Sequence, residues 1–83
     1  MPARKQPQET HWYNVAILAY ADEESISQPG RITAEVVYSG NSWPKARIAL
    51  GHAVIAASRN PLAYSVHILR DYEPIIRVKV EHL

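Results

Sequence analysis

Apolar and polar residues alternate with a period of two in three stretches of this chain, and a fourth stretch is apolar on both parities. Arg31 to Ser39 sets Ile32, Ala34, Val36 and Tyr38 against Arg31, Thr33, Glu35, Val37 and Ser39, which predicts a half-buried strand. Tyr64 to Tyr72 sets Tyr64, Val66 and Ile68 against Ser65, His67, Leu69 and Asp71. Ile75 to His82 sets Ile76, Val78 and Val80 against Arg77, Lys79 and Glu81. His11 to Tyr20 reads as a strand from its aromatic and β-branched content, with Tyr13, Val15, Ile17 and Ala19 on one parity. Its other parity, Trp12, Asn14, Ala16, Leu18 and Tyr20, is also largely apolar.

The connections are marked by turn chemistry. Ala21 to Gly30 groups three acids with Ser, Pro and Gly and reads as a solvated loop closing a hairpin. Gly40-Asn41-Ser42 breaks the second strand, and the Ala-rich run from Pro44 to Ser58 then predicts a helix that Asn60-Pro61 ends. Ser42 is the natural capping residue, while the bias of a residue before Pro away from helical dihedrals makes Trp43 the other choice. Glu73-Pro74 punctuates the second hairpin. The resulting order, ββαββ, predicts a two-layer α+β domain in which a largely antiparallel four-stranded sheet packs one face on one helix. The expected core is Val15, Ile17, Ile32, Ala34, Val36, Val66, Ile68, Ile76, Val78 and Val80 from the sheet, with Ala46, Leu50, Ala53, Val54 and Ala57 from the helix.

Length and charge narrow the class. The 83 residues suffice for one small domain, and 47% hydrophobic residues suffice for its core. Residues 1–10 hold no large apolar residue after Met1 and read as a disordered tail, leaving residues 11–83 as the domain. Nine Lys and Arg against eight Asp and Glu leave +1, which argues against a heavily basic nucleic-acid-wrapping tail and an acidic disordered mimic. Without Cys there is neither a disulfide framework nor a thiolate metal cluster. No secretory signal or membrane span is legible, so a soluble, cytoplasmic protein is expected.

Two surfaces are candidates for binding. At about 100° per residue, Ile48, His52, Ile55 and Arg59 fall opposite the core side of the helix. Scattered surface Ile is ordinary, and a partner or self-association stripe is the alternative. With Trp43, Lys45 and Arg47 these residues form the expected partner-binding set. The open sheet face offers a second set, Trp12, Tyr20, His67, Arg77 and Lys79, in which aromatic planes and cations suit single-stranded nucleic acid. Glu35 and Glu81 share that parity and oppose it. The edge strands of a small open sheet are a further route to a partner. Arg4 and Lys5 would join Lys45, Arg47 and Arg59 in a basic patch if the tail folded toward the helix.

Catalytic and metal chemistry find little support. The phosphate-loop pattern is missing, and the four His lack metal-ligand spacing. His67 and Asp71 stand roughly 13 Å apart along a strand, and Ser65 and His67 about 7 Å apart, with no orienting acid. Neither catalytic residues, metal nor cofactor are expected. A subunit of a larger enzyme or a homo-oligomer with a site built between chains is the remaining alternative, a homodimer through the helix stripe included.

In size and plan, through HWYNVAILAY, RITAEVVYS, PKARIALGHAVIAAS, YSVHILRDY and IIRVKVEHL, the chain resembles the small anti-CRISPR proteins encoded by phages. The resemblance covers topology from His11 to Leu83 and transfers no functional residue. It implies a non-catalytic inhibitor, working in the cytoplasm of a bacterial host, that docks on a CRISPR effector complex and blocks target-DNA engagement.

Overall fold

The stretch with two apolar parities becomes an inner strand, flanked on both sides, so its second face is sheltered by neighbouring side chains. In a computed structural model, which describes residues 10–28 and 30–82, the elements are β1 (Tyr13–Tyr20), α1 (Glu24–Ser27), β2 (Ile32–Gly40), α2 (Trp43–Ser58), β3 (Ala63–Arg70) and β4 (Glu73–Lys79). The strands form one antiparallel sheet in the order β2-β1-β3-β4. The order ββαββ and the α+β class are as expected from the alternation. Of the expected tail only Thr10 is among the described residues, and Arg4 and Lys5 lie outside them.

β2 and β3 both run antiparallel to β1, so α2 crosses from one side of β1 to the other. It therefore packs chiefly over β1 and β3 and touches β2 less. Its start is set as the sequence indicates: Ser42 accepts from the Lys45 N–H at 3.2 Å, and Pro44 sits in the first turn. The Tyr38 hydroxyl braces this entrance by accepting from the Ser42 N–H at 3.2 Å. Gly40 permits the close approach, since a Cβ there would fall 2.5 Å from the Tyr38 hydroxyl. Ala46, Ala53 and Ala57 meet the sheet without intervening bulk, and Val15, Val66 and Ile68 are fully buried beneath them. Each of those three contributes about 1.5–3 kcal/mol by leaving water.

Three register shifts rearrange the expected core. Between Val15 and Ala16 the β2 partner jumps from Tyr38 to Val36, leaving Val37 as the extra residue of a bulge. A bulge reverses the parity beyond it. Tyr38 thus packs on the core, whereas Ile32, Ala34 and Val36, opposite Tyr20, Leu18 and Ala16, lie on the other face. Ile32 and Val36 are 57% and 55% exposed, so these three expected core residues are surface. A second bulge, between Leu18 and Ala19, leaves Tyr64 unpaired and turns it away from the Val66 and Ile68 face to stack on Tyr20, ring centroids 4.8 Å apart. The third lies between Ile68 and Leu69, opposite Ile75. Tyr13, Ala16, Ala19 and Ala63 are buried in addition to the expected set, while Leu50, Val54, Ile76 and Val78 are half-buried.

Two connections differ from expectation. The loop between β1 and β2 contains the turn α1, held by Asp22, which accepts from the Ser25 N–H at 2.9 Å and its hydroxyl at 2.8 Å. The second hairpin turns at Asp71 and Tyr72, both with positive φ (52° and 70°), and Glu73 and Pro74 already belong to β4. Two central residues with positive φ match the twist of the flanking strands.

Candidate functional site

Two large apolar residues of α2, Ile48 and Ile55, stand outside the Ala face that meets the sheet. They are 61% and 52% exposed. Lys45, Arg47, His52 and Arg59 are exposed around them. Seven residues, about two turns, separate the two Ile, which places them one above the other with His52 beside them. Trp43 belongs to a different environment. It is half-buried, packs on the core and lies 5.3 Å from the Tyr13 ring. Toward β2 the helix leaves a shallow groove lined by Ile17, Glu35, Val37, Ala49, His52 and Ala56.

On the opposite face of the sheet, four of the five residues expected to contact nucleic acid do converge. A cleft of about 510 Å³ is lined by Leu18, Tyr20, Tyr64, Ser65, His67, Arg77 and Lys79. The register explains the grouping: Ser65 pairs with Lys79 and His67 with Arg77, while the bulge at Tyr64 delivers a second aromatic ring beside Tyr20. Among the described residues neither Arg77 nor Lys79 is in a salt bridge. Desolvation on the sheet, and then the charge of Arg77, hold His67 below the ordinary imidazole pKa, so the positive charge at neutral pH comes from Arg77 and Lys79. Trp12 stands apart, before the other end of β1, where its backbone N–H donates to the Asp71 carboxylate at 2.9 Å. Glu35 is not on this face, because its partner is Ile17 and it lines the groove beside α2.

The Ser65 hydroxyl and His67 Nε2 are 3.0 Å apart. Their Cα separation along the strand does not keep the side chains apart, because residues two apart share a face and lean toward one another. Ser65 is only 5% exposed, and no carboxylate among the described residues hydrogen-bonds His67, so the pair lacks both access and an orienting acid.

His11, Trp12 and Asp71 meet at the tip of the β3–β4 hairpin, a contact the alternation does not predict. The Asp71 carboxylate accepts from His11 Nδ1 at 2.7 Å and from the Trp12 N–H, and the Asp71 N–H donates to the Trp12 carbonyl at 2.7 Å. The backbone donor first, then His11, hold the Asp71 carboxyl below the ordinary carboxylate range. Beside it Tyr72 is 73% exposed at a φ of 70°. Alternation counts Asp71 with His67 and Leu69, whereas β3 ends at Arg70, and Asp71 and Tyr72 form the turn. Among the described residues no group of three or more His, Asp or Glu side chains is placed to hold a metal, and no helix is long and apolar enough to cross a membrane. Compared with protein-family models, with curated proteins and with solved structures, the chain matches none.

Proposed function

We propose that the chain is a non-catalytic binding protein that docks on a protein partner through the outward face of α2. One observation carries the reading: Ile48 and Ile55, stacked two turns apart on the side of α2 away from the sheet, are both more than half exposed. Lys45, Arg47 and Arg59 form a cationic rim around them, which suits an acidic border on the partner. The class of partner rests on the resemblance in size and plan to anti-CRISPR proteins. On that basis the partner is a nucleic-acid-handling effector complex, and docking blocks its engagement of target DNA.

The test pairs Ile48→Asp with Ile55→Asp. Both positions are exposed, so circular dichroism and melting should change little, while inhibition of target-DNA binding by a reconstituted effector should disappear. A wild-type protein without inhibitory effect overturns the partner class. Inhibition that survives both substitutions overturns the face, and unfolding of the variant places the two Ile in the core.

The open-face cleft favours a second reading, direct binding of single-stranded nucleic acid, because it joins two stacked Tyr rings to two cations. Fluorescence polarisation of labelled oligonucleotides at two salt concentrations tests it. Binding that falls with salt and is lost in Arg77→Ala/Lys79→Ala supports this reading, and absence of binding at low salt rejects it.

A further inference from the structure

The two edges of the sheet are built on opposite principles. β4 carries Glu73, Pro74, Arg77 and Lys79 within seven residues, the charges and proline with which an edge strand repels unwanted pairing. β2 has nine residues, ITAEVVYSG, with no Pro or Lys and Glu35 as the one charge. Every residue from Ile32 to Val37 is exposed. An exposed apolar edge of that length aggregates unless something pairs with it.

The hydrogen-bond pattern shows what the edge presents. The Ala21 N–H donates to the Arg31 carbonyl at 3.0 Å, so Arg31 faces β1 with its backbone groups. By antiparallel alternation Thr33 and Glu35 do the same, and Ile32, Ala34 and Val36 point their N–H and C=O groups outward. Three free pairs of donors and acceptors therefore sit on an apolar row.

We propose that β2 pairs with β2 of a second copy, antiparallel, about a two-fold axis through Ala34. The segment is self-complementary about that residue. Ile32 of one copy falls opposite Val36 of the other, which joins two apolar, β-branched residues that are each more than half exposed in the single chain. Thr33 falls opposite Glu35, so the two Glu35 side chains avoid one another, and Arg31 stands diagonal to Glu35 of the second copy with opposite charge. The axis is perpendicular to the sheet, so both α2 helices lie on one side and both open faces merge into one eight-stranded surface. Growth stops there, because the new edges are two copies of the guarded β4. The pairing leaves Ile48 and Ile55 uncovered and stands whether or not the docking reading holds.

Light scattering on a size-exclusion column should give twice the chain mass of 9.4 kDa. Ala34→Pro removes an N–H that points away from β1, so it should yield a monomer with an unchanged circular dichroism spectrum. The chain has no cysteine, so single substitutions test the register directly. Ala34→Cys brings two thiols onto facing positions about 5.5 Å apart at Cα, within disulfide reach, and should oxidise to a covalent dimer. Ile32→Cys, roughly 13 Å from its own copy along the strand, should not. A wild-type protein that remains monomeric at its highest soluble concentration overturns the proposal and leaves the edge to a foreign strand. A dimer that persists in Ala34→Pro, or one that cross-links at position 32 and not at 34, also overturns it. If Ala34→Pro unfolds, the two cysteine variants decide.

Discussion

Tyr72 holds a backbone conformation that side chains disfavour, and replacing it separates backbone strain from side-chain contact. Its φ is 70° and its neighbour Asp71 has φ 52°, so the turn needs two left-handed residues in succession. For a residue with a Cβ that conformation costs about 1–2 kcal/mol. Tyr72→Ala removes the side chain and keeps this cost, whereas Tyr72→Gly removes both. Gly has an opposing effect, since the unfolded chain gains freedom that folding must again remove, about 0.5–1 kcal/mol. The difference leaves the Gly variant more stable than the Ala variant by roughly 0.5–1 kcal/mol, or a melting temperature higher by about 2–8 °C in a domain of this size. In most strand and helix positions the order is reversed, so the sign alone is diagnostic. Urea denaturation and thermal melts of the two variants, side by side, measure it. An Ala variant equal to or more stable than the Gly variant would refute the left-handed turn.

The bulged core makes a second comparison possible: Ile68→Ala should destabilise by about 2–5 kcal/mol, and Ile32→Ala by about 0.5 kcal/mol or less in dilute urea titrations where chains are monomeric. Ile68 is 0% exposed and Ile32 57%, so equal losses would mean that β2 faces the core as unbroken alternation would have it. Acid should also unfold the domain in a defined window. The Ser25 hydroxyl and N–H, then Arg31, depress the Asp22 carboxyl, as Trp12 and His11 depress that of Asp71. Carboxylates with lowered native pKa values contribute stability that is complete above the ordinary Asp value of about 3.9 and is lost as pH falls through the native values. The urea midpoint should thus decline below about pH 4, and less steeply in Asp22→Asn/Asp71→Asn. Identical slopes in the two proteins would remove these carboxylates from the account.

Much of the architecture was legible because it depends on local periods. Aromatic and β-branched content marks His11 to Tyr20 as a strand, its double apolar parity being explained by the inner position the sheet order gives it, and Ser42 followed by Pro44 marks where α2 begins. Helical spacing sets Ile48 and Ile55 opposite the core side of α2, and their exposure of 61% and 52% is what the structure adds. What alternation misses is a one-residue slip in pairing. Val37 and Tyr64 each add a residue to one strand with no Gly or Pro to mark it, and each slip moves side chains to the other face. The first transfers Ile32, Ala34 and Val36 from core to surface, and the second supplies Tyr64 to the open cleft beside Tyr20. The clamp of His11, Trp12 and Asp71 depends on tertiary closeness, which the linear pattern does not encode, whereas Ser65 and His67 meet because residues two apart on a strand share a face.

The uncovered apolar surface follows from widths. A helix with its side chains is about 10–12 Å across, and four strands at about 4.8 Å make a sheet nearly twice as wide. One helix therefore covers two strands, and the crossover from β2 to β3 places α2 over β1 and β3. The two outer strands have little or no helix over them, and the chain treats these edges differently. On the β4 flank Glu73, Arg77 and Lys79 accept water. On the β2 flank Ile32 and Val36 are exposed on the open face, and Val37 on the helix side lines a groove that runs to His52 and Ala56 of α2. A chain able to place charges on one edge was free to place them on the other. Their absence from β2, together with the exposed Ile48 and Ile55 on the adjoining helix, concentrates the apolar surface on the flank where β2 could be extended by another strand.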